Sequence, residues 1–219
     1  MLLREWFELL AEIEALDGKR SAIGERIARM FAERVDASAL DDIMCALHLF
    51  DNSLAPPEDG IELGLGEALV NKALARFVSE LGRPIDSKQV KDAIKAHGDT
   101  GEWVEAMCPV GLVGPAASEE ATLESYFREF VGLAHMKGAG SQEQKVVAMI
   151  RLLRRVHPIK GGLKYTARSL LCKLRIGVTI KTVIASLATT IASRHSRPEG
   201  PKGPAGPAGP KGPKAVKAA

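Results

Sequence analysis

Three places in this 219-residue chain combine glycine with polar or basic residues just ahead of an apolar, helix-spaced segment. Gly64-Leu65-Gly66 is the first, Gly140-Ser141 with Lys145 one turn in is the second, and Leu174-Arg175-Ile176-Gly177-Val178 is the third, flanked by Lys173 and Lys181. The chemistry these residues suit is phosphate binding. The first N–H groups of a helix have no intrahelical acceptor and sit at the positive end of its dipole. Glycine lets that backbone approach a ligand closely, and Lys or Arg adds charge-assisted hydrogen bonds. Such contacts would hold a nucleic acid by its backbone without reading its bases. The competing reading is that all three are ordinary caps and turns. Gly64-Leu65-Gly66 is not a dinucleotide fingerprint, because Leu69 stands where the third glycine belongs and no strand precedes it.

Other chemistries find less support. Cys45 and His48 are three apart and share a helical face, but two ligands with no second pair do not make a zinc site. A buried thiol beside a surface histidine is the favoured account, and nothing supports a nucleophilic Cys/His pair. The three cysteines (Cys45, Cys108 and Cys172) are odd in number and far apart, which argues against a disulfide framework and for a reducing compartment. The first residues carry acids throughout and no small-residue cleavage site, so no signal peptide is expected. Charge interrupts every apolar stretch before the length a membrane helix needs.

The net charge of +3 hides an asymmetry along the chain. Residues 1–110 hold 12 basic and 21 acidic side chains, whereas residues 111–219 hold 18 basic and 6 acidic. From Gln144 to Arg194 there are eleven Lys and Arg and no acid. A polyanion partner, nucleic acid or an anionic surface, is one reading of that run, and a solvated basic face is the other.

The elements that must position these residues read as helices. Leu2, Leu3, Trp6, Leu9, Leu10 and Ile13 form one apolar face over Leu2–Leu16. Helical spacing returns over Arg20–Arg34, Asp41–Phe50 and Glu67–Leu81, with a loop at Asn52–Gly60. Ser87 is expected to cap a helix to about His97, Gly98–Gly101 to form a turn, Cys108–Ser118 a connection, and Ser118 to start another helix. The clearest helix is Ser141–Val156: Ser141 and Gln144 have capping-box spacing, and Arg151 and Arg155 lie opposite an apolar face. Leu163–Leu171 and Thr179–Ser193 follow. Period-two alternation is lacking, so the expected fold class is an all-α multi-helix bundle over residues 1–195. Glycines at 200, 203, 206, 209 and 212 are each followed by proline. Five triplets are few for a collagen stub, so residues 196–219 are expected to be a disordered basic tail.

At these residues the chain resembles the N-terminal DNA-binding domain of eukaryotic and archaeal ATP-dependent DNA ligases, closest to the replicative type. GIELGLGEAL (60–69), HGDTGEWVE (97–105), GSQEQK (140–145) and ARSLLCKLRIGV (167–178) match that family's motif blocks in the family's order, and the resemblance covers about Leu2–Arg194. It implies a helical domain that grips duplex DNA across the minor groove and encircles nicked DNA together with an adenylation domain and an OB-fold domain. By resemblance the DNA contacts would be Gly64, Gly66, Ser141, Lys145, Lys173, Arg175 and Gly177. The resemblance also implies a nuclear location and a part in replication, repair and recombination.

One departure bears on activity. Ligases form a lysyl-adenylate at Lys-x-Asp-Gly, and the two Asp-Gly pairs here, Asp17-Gly18 and Asp59-Gly60, are preceded at the lysine position by Ala15 and Pro57. No catalytic residue, metal ligand or cofactor is therefore assigned to this chain, and no ligation is expected of it alone. ATP and Mg2+ would enter only with catalytic domains supplied separately. The expected partner is double-stranded or nicked DNA, with ligase catalytic domains as a second partner, no membrane, and a monomeric state. The alternatives are a fragment of a complete ligase and an interaction module without DNA binding.

Overall fold

The apolar stripe at the start of the chain becomes α1 (Leu3–Ala15), with Leu3, Trp6, Phe7, Leu9, Leu10 and Ile13 all buried. A computed structural model describes residues 1–37, 39–109 and 121–195. After α1 come α2 (Arg20–Asp36), α3 (Leu40–Asp51), a 3-10 turn at Pro57–Asp59, α4 (Glu67–Glu80), α5 (Ser87–His97) and α6 (Thr100–Met107). Then follow α7 (Leu123–His135), α8 (Ser141–Val156), α9 (Gly162–Leu170) and α10 (Ile180–His195). The fold is all-α: among the described residues the only β pairing is a single antiparallel bridge between Leu2 and Thr122.

Aromatic side chains on α1 knit it to three other helices. Trp6 meets Phe50 of α3 edge-on at 4.9 Å, Phe7 meets Tyr126 of α7 at 5.6 Å, and Phe7 lies parallel to Tyr165 of α9 at 6.4 Å. Burying rings of this size stabilises by roughly 1.5–3 kcal/mol each. The buried Tyr126 hydroxyl is satisfied by Thr166 Oγ1 at 3.0 Å. Around this core the main helix packings are α2 with α10, α6 with α9, α4 with α8, α4 with α5 and α3 with α7. The α6–α9 contact depends on a missing side chain. A Cβ on Gly101 would stand 2.4 Å from the Lys164 carbonyl oxygen of α9; separately, at the turn from α8 into α9, one on Gly162 would stand 2.2 Å from the Val156 carbonyl oxygen.

Three expectations about helix ends are corrected. Gly98–Gly101 is not a plain turn. Gly98 closes α5, and Asp99 at once opens α6 by accepting the Glu102 N–H at 2.9 Å. The two helices abut with no polar spacer, which hid α6 from a reading of the sequence. Asp86, not Ser87, caps α5: its carboxylate accepts the Lys88 and Gln89 N–H groups at 2.8 Å, and Gln89 Oε1 accepts the Asp86 N–H at 2.9 Å. Ser141 is not the N-cap of α8. That position belongs to Gly140 at φ +77°, and Ser141 is already helical, so there is no capping box. Thr122 caps α7 through Ser125 at 3.2 Å. The helix start expected at Ser118, most of the connection Cys108–Ser118 and the tail 196–219 lie outside the described residues. Among the described residues no helix is long and apolar enough to cross a membrane.

Candidate nucleic-acid interface

The loop that leads into α4 supplies the first wall. Gly66 is the N-cap of α4, and no side chain caps that helix. Gly64 stands at φ +58°, a conformation that strains any residue with a Cβ. From the first turn of α8, Lys145 runs beneath this loop. Its Nζ donates to the Leu63 carbonyl at 3.4 Å and lies 3.8 Å from where a Gly64 Cβ would be. Lys145 is therefore a buried prop of the glycine loop, not the open surface cation its sequence position suggests. Two turns away on α4, Arg76 and Lys72 hold Glu143 of α8, the latter at 2.9 Å. Their hydrogen bonds pull the Glu143 carboxyl down to about 2. This pins the start of α8, with Ser141 and Gly140, beside α4.

The loop after α9 supplies the second wall. Cys172 and Arg175 both have positive φ, +53° and +54°, although neither is glycine. Two strained residues within four mark a segment that its surroundings must hold in place. Leu174 and Ile176 are buried, the Lys173 N–H donates to the Arg168 carbonyl at 2.9 Å, and Arg168 Nη1 reaches the Leu174 carbonyl at 3.4 Å. Cys172 lines a hollow of about 700 Å3 together with Gly64 and Gly66. Lys173 and Arg175 line a neighbouring groove of about 290 Å3 with Glu67, the first residue of α4, and with Lys91 and Lys95 of α5. The glycine loop, the start of α4 and the 171–175 segment thus share a surface, and Lys145 ties the start of α8 to it. Gly177 lines neither hollow, and the junction to α10 is made by Thr179, whose hydroxyl accepts the Thr182 N–H at 3.4 Å.

Asp99 anchors the floor of the groove. Its carboxylate accepts the Glu102 N–H, Arg168 Nε at 3.0 Å and Arg175 Nη1 at 3.1 Å. Burial pushes its pKa up, but the Glu102 N–H and the Arg168 guanidinium outweigh burial and hold it below the usual carboxylate range. Behind it, Glu14 of α1 accepts from Arg168 Nη1 at 3.0 Å and from the Tyr165 hydroxyl at 2.7 Å. Burial raises Glu14 and these donors, with Lys164, more than offset it.

The acid-free run from Gln144 to Arg194 does not make an acid-free surface. Of its eleven cations, six pair with carboxylates from elsewhere: Arg154 with Glu80, Arg155 with Glu129, Lys164 and Arg168 with Glu14, Arg175 with Asp99, and Arg194 with Asp36. Lys173 has no carboxylate partner among the described residues, and neither do Lys91 and Lys95 across the groove. Five cations line that groove against two carboxylates, Glu67 and Asp99. Sequence reasoning missed Lys91 and Lys95. Their spacing of four places them on one face of α5, but only the packing of α5 on α4 and α6 turns that face toward Lys173.

Elsewhere, His48 is bonded through Nδ1 to Ser53 Oγ at 3.0 Å and stacked on Phe127. Burial pushes the Cys45 and Cys108 thiols up to about 11, so neither is a ready nucleophile. No group of three or more His, Cys, Asp or Glu among the described residues is placed to hold a metal ion.

A family model described as "DNA ligase N terminus" matches residues 2–188. A DNA ligase of Pyrobaculum arsenaticum is 27% identical over 198 residues, which is 89% of this chain and 32% of that protein. DNA ligase 2 of Thermofilum pendens is 28% identical over 79% of this chain and 28% of its own length. DNA ligase 1 of Saccharomyces cerevisiae is 30% identical over 84% of this chain and 23% of its own length. The chain thus spans about a quarter to a third of these relatives.

Proposed function

The chain belongs to the family of DNA ligase N-terminal domains, and from that premise we propose that it binds duplex or nicked DNA by the sugar-phosphate backbone, with little preference for base sequence. One observation carries the reading. The groove beside the bare-glycine start of α4 gathers Lys91, Lys95, Lys173 and Arg175, the first three without a carboxylate partner among the described residues. Gly66 adds a further argument. Its φ of −76° suits any residue and a Cβ there would meet nothing within 4 Å, so neither backbone nor packing calls for glycine. A ligand approaching the α4 N–H groups does call for it. Within this reading Gly64, Gly66, Ser141, Lys173, Arg175 and Gly177 face phosphates, and Lys145 supports the loop from below while adding its charge.

Gel-shift titrations on nicked and intact duplexes at two salt concentrations test the proposal. Four phosphate contacts give a slope of log K against log salt of roughly −3.6, so affinity falls about a hundredfold between roughly 50 and 200 mM salt. Binding that ignores salt, or no binding at low salt, refutes the reading and favours an interaction module without DNA.

A second reading follows from coverage. The chain spans only 23–32% of its relatives, and as the N-terminal part of a complete ligase it would work with an adenylation domain and an OB-fold domain that bring ATP and Mg2+. Finding a Lys-x-Asp-Gly motif in adjoining coding sequence would establish that arrangement. In either case we place the domain in the nucleus as a monomer, serving replication, repair and recombination.

A further inference from the structure

We propose that Asp99 is a positioning residue for DNA binding: its carboxylate grips one nitrogen of Arg175 so that the rest of the guanidinium fork is presented to a phosphate. The inference rests on the DNA-binding reading above. Arg175 sits at φ +54°, a backbone state that a side chain with a Cβ adopts only when held there. What holds it is its own Nη1, which donates to the Gly98 carbonyl at 2.9 Å and to Asp99 Oδ2 at 3.1 Å. Both hydrogen bonds use Nη1. Among the described residues Nε and Nη2 are left for a ligand, and the side chain is 51% exposed. A guanidinium with one nitrogen fixed and its other edge open suits two-point binding of a phosphate.

Asp99 is itself fixed. Its Oδ1 accepts the Glu102 N–H at the start of α6, and both oxygens face Arg168 Nε, at 3.0 and 3.2 Å. Arg168 is only 5% exposed and is braced in turn by Glu14. A line of alternating charges therefore runs from α1 through α9 and α6 to the strained loop. Charge counting alone gives the opposite sign, because removing an acid from the floor of a DNA groove should tighten binding. Positioning says that the same change loosens it.

The test is a double-mutant cycle on the affinity for a fluorescent nicked duplex, measured by anisotropy over a salt series, with circular dichroism to follow folding. Asp99→Asn keeps the size and the helix-capping ability of the residue and removes the charge. Asp99→Asn and Arg175→Ala are each expected to weaken binding by about tenfold, to lower the salt slope by roughly 0.9, and to weaken no further when combined. Loss of stability alone would not change the slope of a variant that is still folded. Binding by Asp99→Asn as tight as the parent or tighter, or losses that multiply in the double variant, overturns the proposal. If Asp99→Asn fails to fold, Arg175→Lys decides. An ammonium keeps the charge but cannot serve Asp99 and a phosphate in the fork geometry, so it is expected to bind about as weakly as Arg175→Ala. Parent-like binding by Arg175→Lys overturns the proposal as well. If Lys173→Ala weakens binding while the Asp99 and Arg175 variants do not, DNA binding stands and the positioning role falls. If the parent chain binds no duplex at low salt, both fall.

Discussion

Glycine does two different jobs in this molecule, at the α6–α9 seam and at the glycine-led groove. At the seam its reason is internal. A methyl group on Gly101 would run into the Lys164 carbonyl oxygen of the facing helix. At Gly66 no internal reason exists, since the backbone is ordinary and the space around it is open. The helix starts differ as well. Helices α5, α6 and α7 open on Asp86, Asp99 and Thr122, whose side chains take up the first amides. Helices α4 and α8 open on Gly66 and Gly140 with no side-chain cap. An uncapped start is not by itself a binding site, since α2, α3 and α9 also open without a side-chain cap; what singles out Gly66 is a glycine that neither its φ nor its packing requires.

The comparison is most easily broken at the seam. Gly101→Ala must push α6 away from α9, so urea unfolding is expected to show a loss of about 3 kcal/mol or more. A loss under about 0.5 kcal/mol would mean that the close approach is not what requires glycine there. Next in size is Gly66→Ser. Serine is the better cap, so stability should hold or rise by a few tenths of a kcal/mol, while affinity for duplex DNA drops by about tenfold as the new side chain blocks the amides. Unchanged DNA affinity would return Gly66 to the architectural class. The smallest effect belongs to Asp86→Ala, at a helix start that lines neither hollow. It should cost about 1 kcal/mol in a thermal or urea melt and leave DNA binding as it was.

Much of the fold was legible because burial writes a period into the sequence. The stripe of Trp6, Leu9, Leu10 and Ile13 and the two faces of Ser141–Val156 each needed only local spacing to be read. Helix α6 was not legible, because the residue that ends α5 and the residue that caps α6 are neighbours and together look like a turn. Within the groove, the glycines and the cations of the 173–175 segment stood out by residue type. The burial of Lys145 under Leu63, the capture of Arg175 by Asp99 and the arrival of Lys91 and Lys95 opposite Lys173 did not. Each joins residues from 76 to 82 positions apart in the chain, and no local pattern records a partner at that range. Charge misled for the same reason: the acids that neutralise Arg154, Arg155 and Arg168 come from other helices.

The way α10 lies on α2 bears on how the domain can be shortened. Thr190 donates to the Ala28 carbonyl at 3.1 Å, and Gly24 sits against Ser186. A version trimmed after Val178 would keep every residue of the DNA-facing surface yet strip the cover from the flank of α2 that carries Gly24 and Ala28. Such a fragment is expected to be less stable and more prone to aggregate than the whole domain, which a thermal melt of the two would check.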